Sequence, residues 1–281
     1  STGAVTPNGG DDSASPDVAI DSTVFGGMYA NNITIVSTEQ GVGVRAPERM
    51  AASTQGMTIT ADGRLVMGQA SSGGQLTVRS NSDSVVVEKT IVSQEALSIE
   101  AQRDLILEAD GIIVSEAAAS LTAGANVRLE AGAQIAAQET LTLAAGDGFD
   151  VAEAARALSA GNLSVSAQTA NIATDAVVYG AGTTVLNLSD SLINAGQIQS
   201  AGLLAITATN STQNSGTIQG QDTLGLTTAA LTNQGTIDAT GGVLLLEGMA
   251  SFDNTGGTIS SDTGVQMGLS GTQNLNAQNW G

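Results

Sequence analysis

From Asn194 onward the chain returns to one pattern about every 20 residues, a period that few architectures other than a stacked solenoid can use. The pattern is Asn-x-Gly followed by Ile. It reads Asn194-Ala195-Gly196-Gln197-Ile198, Asn214-Ser215-Gly216-Thr217-Ile218, Asn233-Gln234-Gly235-Thr236-Ile237 and a stretched Asn254-Thr255-Gly256-Gly257-Thr258-Ile259, with steps of 20, 19 and 21 between the asparagines. A second column reads Leu186-Asn187-Leu188, Leu204-Ala205-Ile206, Leu224-Gly225-Leu226 and Leu244-Leu245-Leu246, aligned here with steps of 18, 20 and 20. Its outer positions are apolar and its middle position varies freely, as on a strand whose side chains alternate between two faces. A third column, two residues before each asparagine, is Leu192, Thr212, Leu231 and Phe252.

Three short strands in each period, every one with a single inward face, describe one coil of a parallel β-helix. A lone coil buries too few aliphatic groups to offset the entropy of ordering its own backbone. Neighbouring coils supply the inter-strand hydrogen bonds and cover each apolar layer from above and below, so such a fold exists only as an array.

The same alternation runs upstream in Met57-Thr58-Ile59, Leu76-Thr77-Val78, Leu97-Ser98-Ile99, Leu105-Ile106-Leu107, Val127-Arg128-Leu129, Leu141-Thr142-Leu143 and Leu163-Ser164-Val165, with a coil nearer 22 residues. Shorter steps are expected to mark different strands of one coil. Glu95 to Glu108 contains good helix formers, but its apolar positions pair at i, i+2 and so read as strand. Val151 to Leu158, rich in Ala with Glu153 and Arg156 three apart, is expected to form a helical turn in a loop. Residues 1–17 are polar and acidic and hold two of the three prolines, which predicts a flexible leader. Residues 18–281 are expected to form the β-helix, roughly 11 to 13 coils and about 50 to 60 Å long at about 4.8 Å per coil.

Composition narrows function. Aromatic residues are 2% and charged residues 12%, so the core must be built from many small aliphatic groups. Eight basic against 27 acidic residues give a net charge of −19, which repels phosphate backbones and anionic lipid at long range and argues against nucleic acid as a partner. Absent His removes the commonest general base and metal ligand, and absent Cys removes thiol chemistry and disulfides. No apolar run is long enough to span a bilayer as a helix, Val243 to Leu246 being typical of the longest, so the chain is not expected to cross a membrane. It opens without a basic and then apolar export signal, which reads as a processed product or an internal piece.

Residues 25–45 carry a more specific signal. Phe25-Gly26-Gly27-Met28-Tyr29-Ala30 and Thr38-Glu39-Gln40-Gly41-Val42-Gly43-Val44-Arg45 flank Ile33-Thr34-Ile35-Val36. This run, with the Asn-x-Gly-x-Ile repeats, resembles the filamentous haemagglutinin family, the two-partner-secretion exoproteins that include adhesins and contact-dependent growth inhibition effectors. The resemblance covers nearly all of the chain after the leader. It implies a right-handed parallel β-helix of about 20 to 22 residues per coil and a position shortly after an amino-terminal secretion domain. It also implies export through an outer-membrane transporter and display on, or release from, a Gram-negative surface. Possible partners are then that transporter and a host or bacterial cell surface.

Candidate sites are few. The Asn column reads either as an exposed polar binding stripe or, better, as amides stacked coil to coil, with Asn or the nearby Gly in a left-handed turn. Gly146-Asp147-Gly148-Phe149-Asp150 resembles a calcium-binding turn but stands alone, and a calcium roll needs it repeated. Asp11, Asp12, Asp17 and Asp21 read as solvated charge before metal ligands. A glycan-cleaving β-helix would need carboxylates and basic residues gathered in a groove, and Arg64, Arg79, Lys89, Arg103, Arg128 and Arg156 share no spacing. Thr207-Ala208-Thr209 and Thr227-Thr228 do not continue as the outward threonine array of an ice-binding surface. The expectation is no catalytic residue, no cofactor and no metal site, in a shaft that presents a distal adhesive or toxic region. A direct adhesin module binding through an exposed face is the alternative.

Overall fold

The computed structural model describes residues 18–21, 26–270 and 275–277. Every strand pairing is parallel, and the described residues contain no helix. One wall of the solenoid is a sheet of 12 strands, running from Met28–Ala30 through Arg49–Ala52 to Thr258–Ser261. The other two walls, with strands such as Leu97–Ala101 and Leu105–Leu107, join into a second sheet of 21 strands. From Leu163–Ile172 onward the two walls are carried by single bent strands of 10 or 11 residues, as in Thr184–Asn194 and Leu204–Asn214. The three-strand coil expected from the repeat is therefore drawn out into a three-walled coil with two strands in most of the asparagine-bearing part. Glu95 to Glu108 is strand, as its i, i+2 pattern predicts. The leader assigned to residues 1–17, with Asp11, Asp12 and Asp17, lies outside the described residues.

Ile198, Ile218, Ile237 and Ile259 are direct register partners, each with no exposed surface. Upstream the column continues through Ile91, Ile113, Ile135, Ala157 and Val178. A second inward column runs Met57, Leu76, Leu97, Ala119, Leu141, Leu163. A third runs Leu105, Val127, Phe149, Ala170, Leu192, Thr212, Leu231, Phe252. Leu105 and Val127 stand in a different wall from Leu97, which explains the short sequence steps between them. Along the walls, inward and outward residues alternate, so each coil contributes a thin layer whose two open sides are closed by its neighbours.

One register differs from the sequence reading. Leu186 pairs with Ile206, not Leu204, and it is Thr184 that lies opposite Leu204. Thr184 is fully buried between Leu163 and Leu204, and its hydroxyl has no hydrogen-bond partner. It fills the place of a valine of similar shape, so a polar letter hides an apolar position, and the alignment of Leu186 slips by two.

The corners set the coil length. In the longer coils a β-turn leads into the 12-stranded wall, closed by Gly111 N–H to Glu108 O at 2.9 Å, Ala133 to Glu130 at 3.0 Å, Ala155 to Ala152 at 3.1 Å and Ala176 to Ala173 at 3.2 Å. Its third residue has positive φ: Asp110 (58°), Gly132 (72°), Ala154 (58°) and Asp175 (60°). A left-handed residue is what lets so short a turn close. Ala154 in that state breaks the helical turn expected over Val151 to Leu158, which is strand, turn and strand.

At Asn194 the corner shrinks. Ile172 is separated from Val177 by four residues, whereas Asn194 is separated from Gln197 by two. The turn's closing hydrogen bond is lost, and the asparagine side chain takes over. Asn194 Nδ2 donates to the carbonyl of Gly196 (3.4 Å), to Oδ1 of Asn214 (2.7 Å) and to the carbonyl of Thr217 (3.2 Å). Asn214 does the same toward Asn233, and Asn233 toward Asn254. All four asparagines are buried. Gly196, Gly216 and Gly235 are not left-handed, contrary to the expectation for this turn; a methyl on Gly216 would overlap the carbonyl of Gly196, and one on Gly235 that of Gly216. Close approach of successive coils is what demands glycine here. Only the stretched corner, with Gly256 at φ 87°, uses the left-handed state.

The sequence pattern missed a column of small residues ending each strand of the 12-stranded wall: Ser72, Ser93, Ser115, Ala137, Ser159, Gly180 and Ser200. Ser159 Oγ donates to the carbonyls of Asn162 in its own corner (2.8 Å) and Glu139 in the coil below (2.7 Å), and Ser115 and Ser200 are placed likewise.

Two substitutions test the facing. Ile218→Asn buries an amide between Ile198 and Ile237 with no partner and is expected to cost about 2 kcal/mol or more in denaturant melts, while Asn187→Asp on the outer face leaves the midpoint nearly unchanged. Asn214→Leu takes from the Asn194 amide its shortest acceptor, leaves the Asn233 oxygen without its Asn214 donor, and is expected to cost about 2 kcal/mol or more. A loss no larger than that of an exposed control would show that the ladder does not carry the corner.

Candidate functional site

The buried ladder cannot serve as a binding stripe, because its amides point inward and are spent on one another. What the molecule offers a partner is the outward set of side chains and the clefts between corners. A cleft of about 430 Å³ lies between early coils and is lined by Arg45, Arg64, Val66, Asp83 and Glu88. There the charges mostly cancel. Arg45 meets Glu88 at 2.9 Å and Lys89 meets Glu48 at 2.9 Å, each pair spanning an intervening coil. Gly68 lines the same cleft as the second pair, and a methyl there would overlap the backbone carbonyl of Glu48.

The hydrogen bond from Lys89, then the Lys89 charge, then Arg49, hold the Glu48 carboxyl below its ordinary range. A general acid needs the opposite shift. Arg79 pairs with Glu100 on one wall (3.1 Å) and Arg128 with Asp150 on another (3.8 Å), while Arg156 lies on the third. Arg64, Arg103 and Arg156 make no ion pair among the described residues. The basic residues thus spread over three walls and gather in no common groove.

Asp150 is half-buried, and its carboxyl is pushed up by burial, with Arg128 opposing. At 3.8 Å the guanidinium is too far for a strong hydrogen bond, so burial wins. Gly146-Asp147-Gly148-Phe149-Asp150 turns the chain from one wall to the next. Phe149 fills the core, and Asp147 Oδ1 accepts from Gln168 at 3.0 Å. No group of three or more acidic residues among the described ones is placed to share a metal ion. Asp21 ends the strand Val18–Asp21.

One outward file escaped the sequence reading. Thr34, Thr58, Thr77, Ser98, Ser120, Thr142 and Ser164 are partners on successive coils. Irregular spacing and the mixture of Ser with Thr hid it. The adjacent file is broken by Arg79, Glu100 and Ala144, so no two-file threonine lattice forms.

The geometry is that of a shaft, and comparison with known proteins agrees. A family model described as Haemagglutinin repeat matches residues 2–66, 68–153 and 158–250. The chain belongs to the haemagglutinin-repeat family. It is 44% identical over 79 residues to "Toxin CdiA" of Yersinia pestis, covering 28% of this chain and 2% of that protein. To "tRNA nuclease CdiA-2" of Burkholderia pseudomallei (strain 1026b) it is 48% identical over 52 residues, 18% of this chain and 2% of that protein. To "tRNA nuclease CdiA" of Escherichia coli (strain NC101) it is 32% identical over 92 residues, 33% of this chain and 3% of that protein. The chain spans only 2 to 3% of the length of these curated relatives, whose nuclease and toxin labels are theirs. No solved structure gave a significant match. Haemagglutinin-repeat proteins of this kind are secreted or surface proteins of Gram-negative bacteria, and the chain is a β-helical shaft segment of such an exoprotein. No described helix is long and apolar enough to cross a membrane.

Because the Asp150 carboxyl sits higher in the folded chain than in the unfolded one, the folded state binds the extra proton and loses stability as pH rises through the carboxylate range. Asp150→Asn removes that loss. In denaturant melts at stepped pH the variant is expected to gain on the parent between acid and neutral pH; a constant difference would contradict the assignment.

Proposed function

We propose that the chain is a stiff spacer. It holds a distal adhesive or toxic region of its exoprotein away from the cell after export through an outer-membrane two-partner-secretion transporter. In this reading residues 18–281 are shaft and residues 1–17 a leader, and the segment does no chemistry: it has no catalytic, cofactor or metal residue. The observation that supports the reading is the unbroken register of the inward columns, in which the isoleucine file passes from Ile91 to Ile259 without a slipped partner. Bending such a rod means opening a row of inter-coil hydrogen bonds together with a packed layer, so stiffness follows from the same contacts as stability. The relatives named for toxins and nucleases are far longer than this chain, which suits a segment whose task is reach.

A spacer should tolerate loss of one whole coil. Deleting residues 199–218 joins Ile198 to Gln219 in the register those residues already share and is expected to keep a single sharp melt. Deleting 199–208 is expected to abolish it, and equal outcomes would count against the coil as the unit of length. Beads coated with the chain are expected to show no saturable attachment to bacterial or host cells. Saturable attachment would replace the spacer with the alternative, an adhesin module acting through an exposed face.

A further inference from the structure

The strands of the 12-stranded wall that point the isoleucine column inward also carry an outward file, and over part of the rod this file is apolar. Val92, Val114, Ala136, Leu158 and Tyr179 are direct partners on successive coils, all partly exposed. In the neighbouring outward file Ile112 and Val177 add apolar surface at two coils, with Gln134 and Arg156, the one basic side chain on these strands, between them. The same file is polar on either side, with Ser71 before it and Gln199 and Gln219 after it. The stripe is therefore bounded, on the order of 20 Å long at about 4.8 Å per coil.

Its borders are acidic. In the corners that lead into the wall, Glu88, Glu108 and Glu130 follow directly on the stacked residues Val87, Leu107 and Leu129, so their carboxylates lie on successive coils. Arg45 neutralises Glu88, but Glu108 and Glu130 make no ion pair among the described residues. On the opposite border the corners carry Glu116 and Glu139, also exposed and unpaired among the described residues. Like charges held one strand spacing apart repel each other, and a cation laid along them relieves that repulsion.

We propose that this stripe is a docking surface for a cationic amphipathic segment of a partner protein, apolar along one side and carrying Lys or Arg at its edges. A second copy of the chain fits worse. Two outward files about 7 Å apart over about 20 Å offer on the order of 200 Å², against about 800 Å² per partner in a stable protein interface. Two chains of net charge −19 also repel. A narrow segment needs only the stripe and draws on both acidic borders. The proposal reaches beyond the spacer role, which stands whether or not the stripe is used.

Two labelled synthetic peptides of equal length and charge, one alternating leucine with lysine and the other serine with lysine, test it by fluorescence anisotropy at physiological salt. The leucine–lysine peptide is expected to bind saturably and the serine–lysine peptide about tenfold more weakly or worse. V114T/L158T is expected to lower leucine–lysine binding about tenfold while leaving serine–lysine binding unchanged, and E108Q/E130Q to weaken both. If the melt of V114T/L158T shifts, L158T alone carries the same comparison. Equal binding of the two peptides would mean attraction to an acidic rod and nothing more, and would overturn the proposal. So would undiminished affinity in the threonine or glutamine variants, or no saturable binding at all.

Discussion

Everything in this molecule depends on the contact between one coil's inward side chains and the coil above. No coil has a core of its own. The layer that holds Ile218 is closed by Ile198 below and Ile237 above, and each of these is closed in turn by the next. Such a column is dry only while the register is kept, and the register is kept only while the corners deliver each strand at the same height. The corners, which look like connecting loops, therefore govern the core.

Two corner designs solve that problem, and they change over at Asn194. The four coils before it use a β-turn with a left-handed residue and leave the position before that turn to an aliphatic side chain, Leu107, Leu129, Val151 and Ile172 being stacked partners there, whereas still earlier corners, such as Gly68 alone or Glu88-Lys89, are shorter. The later coils shorten the corner and place an asparagine at that same position, since Ile172 pairs with Asn194. Hydrophobic contact is exchanged for an amide chain whose every interior member both donates and accepts. The exchange leaves a mark at its starting point. Asn194 Oδ1 has no partner, because the residue beneath it is Ile172 and has no donor to offer. A ladder of buried amides must begin somewhere, and its first acceptor bears the desolvation cost that later members avoid.

The coil and its period were legible because Asn-x-Gly-x-Ile is a corner and a core position written together, at a spacing that only the last copy stretches. Facing was legible wherever the inward residues were aliphatic. Legibility failed where a polar letter occupies a buried place, as at Thr184, because pattern reading assigns side by polarity while the fold assigns it by register. It failed again at Val151 to Leu158, where alanine's helical preference is local and the demand for a left-handed residue at Ala154 comes from the stacking of neighbouring corners. The serine column and the outward hydroxyl file were invisible for a related reason. Small residues substitute for one another across coils of unequal length, so only the register reveals that Ser93, Ser115 and Ser159 do one job. The outward surface was the least legible part, since alternation says which residues face out and nothing of which files they form.

The two halves of the rod also hold register by different physics. All eight basic residues fall between Arg45 and Arg156. Within that span, pairs such as Arg45–Glu88 and Lys89–Glu48 tie coils together from outside. Those side chains are about half exposed, so salt and water screen them and each contributes little. Beyond Arg156 the chain has no cation with which to pair a carboxylate. There the amide ladder does the tying, from inside, where neither salt nor pH reaches it. The acidic surface of the later coils holds no ion pair, though Asp190 accepts from Asn210 (2.6 Å), and Asp238 from Gln219 (3.2 Å) and Ser260 (2.6 Å), across coils. It can keep a secreted rod soluble and apart from its neighbours, while the asparagines beneath hold the coils in step.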